Sequence, residues 1–434
     1  MLYFCCILKS HQEKLPLFSL NKDKKVLLYF VMTENQKKII SATVPVLREN
    51  GVALTTYFYK RLFTHHPELK NMFNMGNQHS GKQQKALAMA VLAYAEHIAD
   101  PTALLPALDR IGHKHISLDI RPEHYPIVGN HLLASIKEVL GEAATHELLE
   151  AWGNAYDQLA ELMIGIEAKM YKTQTSKPGG WSGWRPFKIR KKEKESAEIT
   201  SFYLYPADGG QIVPHIPGQF ISVRMFLPKL SLNQARQYSL SHIPSDEHYR
   251  ISVKREKGHH LNTNGMISNY LHDHMEVGGL VDLTSPNGNF ILKGDVEAPI
   301  TFISGGVGLT PLMSMLHSLI EKKHKHPITW VHACRNHSVH AFRKQVNELT
   351  EDLPKFQQHI FYDSLTDKDR EEGIIEGPLD LNNLQSLTNN PNTKYYICGP
   401  GGFIQKQHQN LLSLGVGIEA VYFEEFGPQT LQLN

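Results

Sequence analysis

The chain has 434 residues and nearly balanced charges, with 45 Lys and Arg against 43 Asp and Glu and a formal net charge of +2 at pH 7. No long basic run with interleaved aromatic residues occurs, so the charge pattern argues against a nucleic-acid-binding protein. Hydrophobic residues make up 41% and charged residues 20%, which is typical of a globular protein, and the length predicts about three domains.

The cysteines indicate a reducing compartment rather than a metal or disulfide framework. They are Cys5, Cys6, Cys334 and Cys398, and none has the spacing of a zinc site. Disulfide frameworks are typical of small secreted proteins. We therefore predict a cytoplasmic protein.

Residues 1–31 are predicted to be an N-terminal extension. Their two apolar runs are too short to span a bilayer, and the first lacks the basic start of a signal peptide. Met32 is followed by Thr33-Glu34-Asn35-Gln36, which predicts a capping box that opens a helix. We therefore expect either that Met32 is the true start or that residues 1–31 are disordered. A membrane anchor is the alternative, and we expect no stable insertion.

Residues 32–172 are predicted to form an all-helical domain. Ile40, Val44 and Leu47 fall on one helix face, and proline and glycine residues divide the segment into about six or seven helices. An all-helical domain of this size can enclose a flat cofactor.

Two histidines in this segment, His113 and His115, flank Lys114. Helical spacing aims their side chains in different directions, so at most one of them enters a given pocket. If His115 points inward, its imidazole can ligate a metal, most plausibly haem iron. The alternative is a partly buried core histidine.

The stretch 173–184 is rich in Gly, Pro, Ser and Trp and predicts a linker or a surface loop, after which residues 183–294 are predicted to form an antiparallel β-barrel. One helix is predicted within the barrel, at Ile267–His272. The predicted strands are Phe187–Arg190, Ile199–Tyr205, Gln219–Met225, Arg250–Lys254 and Leu280–Thr284.

Residues 298–434 are predicted to form an α/β domain with a parallel sheet, because strands and helices alternate. The predicted helices are Thr310–Lys323 and Phe342–Asp352. The predicted strands are Pro299–Ser304, Ile328–Ala333, His359–Tyr362 and Lys394–Cys398.

A polar motif after a predicted barrel strand has the chemistry of a flavin site. It consists of Arg236, Gln237, Tyr238 and Ser239. An arginine can hold a pyrophosphate, a tyrosine can lie on the isoalloxazine ring, and a serine can reach the polar edge of the ring. Taken alone, the motif could be an ordinary polar strand end.

Two further segments strengthen the flavin interpretation. Pro217-Gly218-Gln219-Phe220 precedes the motif. Gly265, Met266, Ile267 and Ser268 follow it and open a helix, where backbone N–H groups can receive a phosphate.

A glycine-rich turn between a predicted strand and a predicted helix indicates a dinucleotide site. It consists of Ser304, Gly305, Gly306, Val307, Gly308, Leu309, Thr310 and Pro311. The full fingerprint is incomplete, because Pro311 occupies the place of a third glycine, and a plain glycine-rich turn is the alternative. Cys398, Gly399 and Pro400 form a second loop at the same sheet edge. Cys398 could be a buried structural thiol.

The order of these motifs resembles the ferredoxin-reductase family over about residues 183–434. It ends with Glu424, Glu425, Phe426, Gly427 and Pro428. The resemblance implies that Tyr238 and Ser239 contact FAD, that the two loops contact NADH or NADPH, and that Phe426 covers the other face of the flavin. Phe220 stands where many relatives carry tyrosine, so it can stack but cannot donate a hydrogen bond.

The helical domain resembles the bacterial globins, and the chain from Met32 resembles the flavohaemoglobins. The resemblance is carried by Leu54–Tyr59, Pro67–Met75, Gln83–Leu87, Lys114-His115, Glu123–Gly129 and Ala151–Gly153. It implies haem b with His115 as the axial ligand, and it leaves His113 as a polar surface residue.

The same resemblance assigns further roles around the haem. It implies that Tyr125 and Glu167 contact the other nitrogen of the proximal histidine, although a solvated helix charge is the alternative for Glu167. Tyr59, Gln83 and Leu87 match the oxygen-side residues, and Phe73 matches a residue on the haem edge. Lys114 and Glu424 match a charged pair that bridges the haem and flavin domains.

The resemblance implies a nitric oxide dioxygenase, in which electrons pass from NAD(P)H through FAD to haem and NO and O2 become nitrate. The expected partners are small molecules, and the expected state is a monomer. One alternative is a globin that senses O2 or NO, or binds oxygen, with a reductase that resets the iron. The other is a haem enzyme that reduces peroxide.

Overall fold

The computed structural model describes residues 32–258, 265–293, 297–351, 353–388 and 390–427. The predictions made for residues 1–31, and the role assigned to Pro428, lie outside these residues. Over the described part, the three predicted fold classes are confirmed in the predicted order, namely an all-helical domain, an antiparallel barrel and a parallel α/β domain.

The helical domain is built around α2, which packs against α4 and α6. Its described helices are α1 (Glu34–Ala42), α2 (Val44–His65), α3 (Met75–His79), α4 (Lys82–Glu96), α5 (Leu105–Ile116), α6 (His124–Leu140) and α7 (His146–Thr175). The predicted capping box is confirmed, because the Thr33 hydroxyl accepts the Gln36 N–H while the Gln36 side chain accepts the Thr33 N–H. The linker was predicted to begin at Thr173, which is wrong, because α7 continues to Thr175.

The second domain is a six-stranded antiparallel sheet with the order β4-β3-β6-β1-β2-β5. An isolated bridge between Leu240 and Ile251 connects its two edge strands, so the sheet closes into a barrel. Its elements are β1 (Arg185–Lys194), β2 (Ile199–Pro206), β3 (Phe220–Leu227), β4 (Leu232–Ser239), β5 (Tyr249–Lys254), α8 (Met266–His274) and β6 (Leu280–Leu283).

The flavin motif lies within a strand. Residues 236–239 follow the predicted strand that is now β3, and they form the end of β4, a strand that was not itself predicted and that pairs with β3. Most side chains of Leu232–Ser239 are polar, so the segment lacks the alternation that predicts a strand. Pairing with β3 determines its structure instead.

The third domain is a parallel sheet with the order β10-β9-β8-β7-β11-β12. The chain builds the sheet outward from β7 in one direction and then returns to place β11 on the other side of β7, so the switch in strand order lies between β7 and β11. Its elements are β7 (Ile300–Gly305), α9 (Leu309–Glu321), β8 (Ile328–Cys334), α10 (Arg343–Thr350), β9 (Phe356–Tyr362), α11 (Asp367–Glu371), β10 (Ile375–Glu376), β11 (Lys394–Gly399), α12 (Gly401–Ser413) and β12 (Val421–Glu425).

The helical domain contacts the barrel through α5 and the residues that follow it. The Gly288 N–H donates to Nδ1 of His113 over 3.3 Å, and the Thr284 hydroxyl donates to the Ser117 carbonyl over 3.2 Å. The prediction of a surface role for His113 is therefore wrong. The helix face that carries His113 contacts the barrel. Residue spacing in the sequence does not show where the barrel lies relative to this helix.

A second contact joins the segment before α3 to β4. The Asn233 N–H donates to the Asn71 side chain over 2.8 Å, and the Gln234 side chain donates to the Lys70 carbonyl over 2.9 Å. Among the described helices, none has the length and apolarity needed to cross a bilayer.

Candidate functional site

His115 lies in the last turn of α5, where two side chains from neighbouring helices hold its ring. Its Nδ1 is 2.7 Å from Oε1 of Glu167 on α7 and 3.2 Å from the hydroxyl of Tyr125 on α6. The Tyr125 hydroxyl donates to the same oxygen of Glu167 over 2.6 Å. The structure thus brings these three predicted residues together.

In this cluster Glu167 is the hydrogen-bond acceptor, and Tyr125 and His115 are the donors. The Glu167 side chain is buried, with only 2% of its surface exposed. Burial, reinforced by the charge of Glu167, raises the pKa of Tyr125 far above its usual range, so Tyr125 stays protonated and donates. With Nδ1 engaged by the carboxylate, Nε2 is the ring nitrogen available to a metal.

Tyr59, Gln83 and Gln78 form the polar part of the region that was predicted to be the oxygen side. The Tyr59 side chain is buried on α2, and the side-chain amides of Gln83 and Gln78 lie close to its hydroxyl. Burial raises the pKa of Tyr59 to about 12, so this hydroxyl is a donor at neutral pH.

The apolar part of the oxygen side surrounds the Tyr59 ring. The ring of Phe73 packs edge-on against that of Tyr59, with 5.7 Å between centroids, and Phe63 stacks on Tyr59 at 5.9 Å. Leu87 packs against the same apolar cluster. The predicted residues Tyr59, Phe73 and Leu87 therefore share one core.

Gln78 was not among the predicted site residues. It receives a hydrogen bond on its side-chain oxygen from Gln84 over 3.1 Å, and its own Nε2 is buried without a partner among the described residues. A buried unsatisfied donor is rare and calls for a polar ligand. With Nδ1 of His115 engaged, its Nε2 would hold a haem, and the Gln78 amide would offer a hydrogen bond to a small polar ligand. The surrounding sequence held no signal for Gln78, because its position depends on how α3 packs.

Arg236 is suited to a phosphate group because it has no carboxylate partner among the described residues. It donates to the neighbouring Ala235 carbonyl over 2.6 Å, and burial lowers its pKa to about 10. A Cβ placed on Gly76 would lie 3.4 Å from the Arg236 guanidinium and 3.7 Å from the methyl group of Met266. Arg236 and the start of α8 therefore lie on the same side of the barrel, which fits a flavin pyrophosphate.

Of the other residues predicted to bind the flavin, some lie at strand ends and one lies in the barrel core. Phe220 pairs with Ser239, and Tyr238 lies one pair further along the two strands. Burial raises the pKa of Tyr238, so its hydroxyl stays protonated. Gln237 reaches the Ser117 hydroxyl of the helical domain at 3.5 Å. By contrast, the Ile267 side chain is fully buried in the barrel core, so it can serve a phosphate only through its backbone N–H.

At two loop positions, Gly265 and Gly288, the structure leaves no room for a side chain. A Cβ on Gly265 would lie 2.5 Å from the Ser268 hydroxyl, and one on Gly288 would lie 3.0 Å from the Phe220 ring. Both loops therefore approach their neighbours too closely for a larger residue.

The glycine-rich turn and the Cys398 loop contact each other at the switch in strand order. Ser304 and Gly305 end β7, Gly306–Gly308 including Val307 form a 3₁₀ turn, and Leu309, Thr310 and Pro311 open α9. A Cβ on Gly308 would lie 2.1 Å from the Cys398 carbonyl oxygen, whereas the space beside Gly306 is open and its φ is +55°. Such an open, glycine-lined strand end fits a pyrophosphate.

Cys398 is a structural thiol. It lies in the buried part of β11, none of its surface is exposed, and burial raises its pKa well above the usual range. Gly399 contacts the ring of Phe403, and Pro400 precedes α12. The loop therefore shapes the site and offers no reactive thiolate at neutral pH.

Lys114 joins the helical domain to the segment that follows β12. Its ammonium donates to the carbonyl of Gly427, and Glu424 and Glu425 act on it by charge. Burial raises the pKa of Glu424 to about 7, while Lys114 and Arg110 act in the opposite direction. Lys114 and Glu424 thus interact by charge, while the direct acceptor is Gly427. Phe426 follows β12 with 43% of its surface exposed.

Three family models match the chain in the order of its domains. A globin model matches residues 56–163, an oxidoreductase FAD-binding domain matches residues 186–291, and an oxidoreductase NAD-binding domain matches residues 302–409.

Two solved structures resemble the fold. A flavohemoglobin from Malassezia yamatoensis, solved with bound FAD and haem, has a TM-score of 0.80 at 26% identity and covers 91% of this chain and 99% of its own. The FAD/NAD-binding domain of a nitric oxide dioxygenase from Vibrio cholerae has a TM-score of 0.52 at 36% identity, covering 56% of this chain and 99% of its own.

Whole-length relatives carry the family assignment. A flavohemoprotein from Chromobacterium violaceum is 48% identical over 400 residues, which cover 92% of this chain and 98% of the relative. A flavohemoprotein from Rhizobium meliloti is 47% identical over 400 residues, covering 92% and 99%. Because this similarity extends through all three domains, the chain belongs to the flavohemoprotein family.

Proposed function

We propose that the chain is an NAD(P)H-dependent nitric oxide dioxygenase that converts NO and O2 to nitrate and so detoxifies NO. The observation that carries the proposal is the hydrogen-bonded cluster of His115, Glu167 and Tyr125. A carboxylate on a ligating imidazole makes it a stronger donor and favours oxygen chemistry over simple reversible binding.

The chain's own residues would hold three groups. His115 would ligate haem through Nε2, Arg236, Tyr238 and Ser239 would hold FAD, and the Gly306 turn would receive NADH or NADPH. When bound, the flavin converts the electron pair of the nucleotide into single electrons, and haem supplies the iron at which O2 and NO react. Tyr59, supported by Gln83 and Gln78, would donate a hydrogen bond to a diatomic ligand and hold it for reaction.

The close contact of α5 with both other domains supports electron supply to the globin. His113 binds the barrel loop at Gly288, and Lys114 reaches Gly427. The nitric oxide dioxygenase named among the structural neighbours favours the same activity. We also propose that the protein acts as a monomer in the cytoplasm.

The experiment is NO consumption by protein loaded with haem and FAD. We expect rapid loss of NO that requires both NADH and O2, with nitrate as the product. His115→Ala should abolish it, while His97→Ala, at an exposed histidine, should not. If NADH is oxidised while NO persists, the dioxygenase proposal fails, and sensing or peroxide reduction becomes the better account.

A further inference from the structure

Arg335 occupies the position at which dinucleotide-binding folds read the adenosine ribose. It directly follows β8, which lies parallel to β7 with Ala333 opposite Gly305, so Arg335 and the glycine-rich turn share one sheet edge. In such folds an acidic residue about 20 positions beyond the turn binds the 2′-hydroxyl of NADH, whereas an arginine accommodates the 2′-phosphate of NADPH. Arg335 considered alone would therefore indicate NADPH.

The partner of Arg335 changes that expectation. Its guanidinium forms an ion pair with the carboxylate of Glu198, which belongs to the barrel domain and precedes β2. The Glu198 side chain is only 19% exposed, against 56% for Arg335. The arginine is therefore already engaged by a carboxylate that is the less exposed of the two groups.

Backbone contacts hold Glu198 in this position. The neighbouring Ala197 N–H donates to the Ser338 carbonyl over 2.8 Å, which ties the β1–β2 turn to the loop after β8. On the barrel side, the Arg255 N–H donates to the Glu198 carbonyl over 2.8 Å, and the Ser196 hydroxyl accepts the Glu198 N–H over 3.3 Å. Glu198 is thus a fixed part of the nucleotide-binding edge, contributed by the other domain.

The charged groups around Arg335 do not offset the negative charge of Glu198. Arg343, the next arginine along the chain, pairs with Glu372 and also contacts His337. Asp363 follows β9, the neighbouring strand, and adds a further negative charge that acts on Cys334 at the end of β8. A phosphate placed here would meet arginines whose charges are already balanced.

We propose that Glu198, by pairing with Arg335, makes this protein prefer NADH to NADPH. A 2′-phosphate carries a charge of about −2 and would have to displace Glu198 while lying beside it. The 2′-hydroxyl of NADH can instead accept from Arg335 and donate to Glu198. The inference rests on the nucleotide part of the proposed function and not on the reaction with NO.

The test compares flavin reduction by NADH and NADPH in anaerobic holoprotein. The wild-type protein should favour NADH by at least about tenfold in the second-order rate constant of flavin reduction, because like charges at close range cost on the order of a factor of ten. Glu198→Gln should raise this rate constant for NADPH by about tenfold and change that for NADH less than about twofold. The matched control is Glu193→Gln on the same hairpin, where Glu193 pairs with Lys191 over 2.8 Å and accepts from Tyr203.

A second variant and a binding measurement separate selectivity from folding. In Glu198→Gln the unpaired Arg335 should bind the 2′-phosphate and so cause the faster reaction with NADPH. Adding Arg335→Gln to Glu198→Gln should therefore remove this increase. Titration of FAD-loaded protein with 2′,5′-ADP and 5′-ADP should show tighter binding of 2′,5′-ADP only after Glu198→Gln. A wild-type protein that uses both nucleotides equally, or an unchanged preference in Glu198→Gln, would overturn the proposal. NO takes no part in either measurement, so a failed NO assay leaves this result interpretable.

Discussion

A single carboxylate oxygen of Glu167 accepts hydrogen bonds from both the His115 ring and the Tyr125 hydroxyl. Two donors on one buried oxygen hold the imidazole ring and the Tyr125 hydroxyl in a fixed orientation. As the proposed haem ligand, His115 would therefore owe its electron-donating strength to a residue of another helix.

Replacing Glu167 with Gln should weaken this effect, because an amide keeps the shape of the side chain but removes its charge. We expect about a 10- to 100-fold loss of NO turnover. Resonance Raman spectroscopy should show a lower iron–histidine stretching frequency. Glu161→Gln, at an exposed position of the same helix, is the control. An unchanged stretching frequency would separate Glu167 from the haem chemistry.

Tyr59→Phe should remove the donor on the oxygen side. Loss of one preorganised donor costs about 100- to 1000-fold in favourable cases, so we expect faster O2 dissociation and a comparable loss of NO turnover. Tyr57→Phe is the matched control, since Tyr57 lies on the same helix with 40% of its surface exposed. Equal O2 dissociation rates in the two variants would exclude Tyr59 as the donor.

Glu424 should make stability depend on pH. The ordinary pKa is 4.5 and burial raises it to about 7, so the unfolded chain releases this proton first as the pH rises. The protonated Glu424 therefore contributes its full share to the stability of the folded protein below pH 4.5. This contribution is lost as the pH rises through about 7.

Glu424→Gln mimics the protonated form, so its Tm should equal that of the wild-type protein near pH 4.5 and exceed it at pH 8. The exposed Glu419→Gln should follow the wild-type protein at both pH values. A constant Tm difference across this range would show that ionisation of Glu424 is not the cause.

At the scale of elements, strands with buried apolar residues were predictable and polar or short strands were not. β7 and β8 carry runs of buried residues, and both were predicted to within about two residues. β4 is mostly polar, β10 has two residues, and β12 lies at the sheet edge, so their pairing partners rather than their own patterns determine them. The same limit applies to His113, whose neighbour Gly288 is 175 residues away along the chain.

The packing of two loops makes Gly308 a sensitive position. In Gly308→Ala the new Cβ would lie 2.1 Å from the Cys398 carbonyl, so one loop must shift, at a cost of about 1–3 kcal/mol in the free energy of unfolding. We expect a large loss of flavin reduction by NADH with unchanged reduction by dithionite. Gly402→Ala, where no atom lies within 4 Å of the new Cβ, is the control. Normal NADH kinetics in Gly308→Ala would argue against a nucleotide at this edge.

At the scale of the whole molecule, the end of α5 connects all three domains. His115 faces the predicted haem site, His113 binds the barrel, and Lys114 reaches the end of β12. The barrel and the third domain also share apolar core, since Phe290 packs in the same cluster as Phe302. The proposed movement of electrons into the globin would therefore cross contacts that no single domain contains.

Lys114→Glu should slow electron transfer into haem, because it replaces the bond to Gly427 with a charge that repels Glu424 and Glu425. We expect about a tenfold slower haem reduction with an unchanged rate of flavin reduction by NADH, measured by anaerobic stopped-flow absorbance. Lys137→Glu makes the same charge change at an exposed site of the helical domain and should have no effect. Unchanged haem reduction in Lys114→Glu would remove this contact from the electron path.

The central claim is that both atoms of O2 enter the product of NO oxidation. Its most direct test is to supply holoprotein with NADH, unlabelled NO and oxygen-18 gas, and to analyse the nitrate by mass spectrometry. The account predicts nitrate that carries two oxygen-18 atoms, with the third oxygen coming from NO. Nitrate with one labelled atom or none, or NO loss without nitrate, would contradict a dioxygenase.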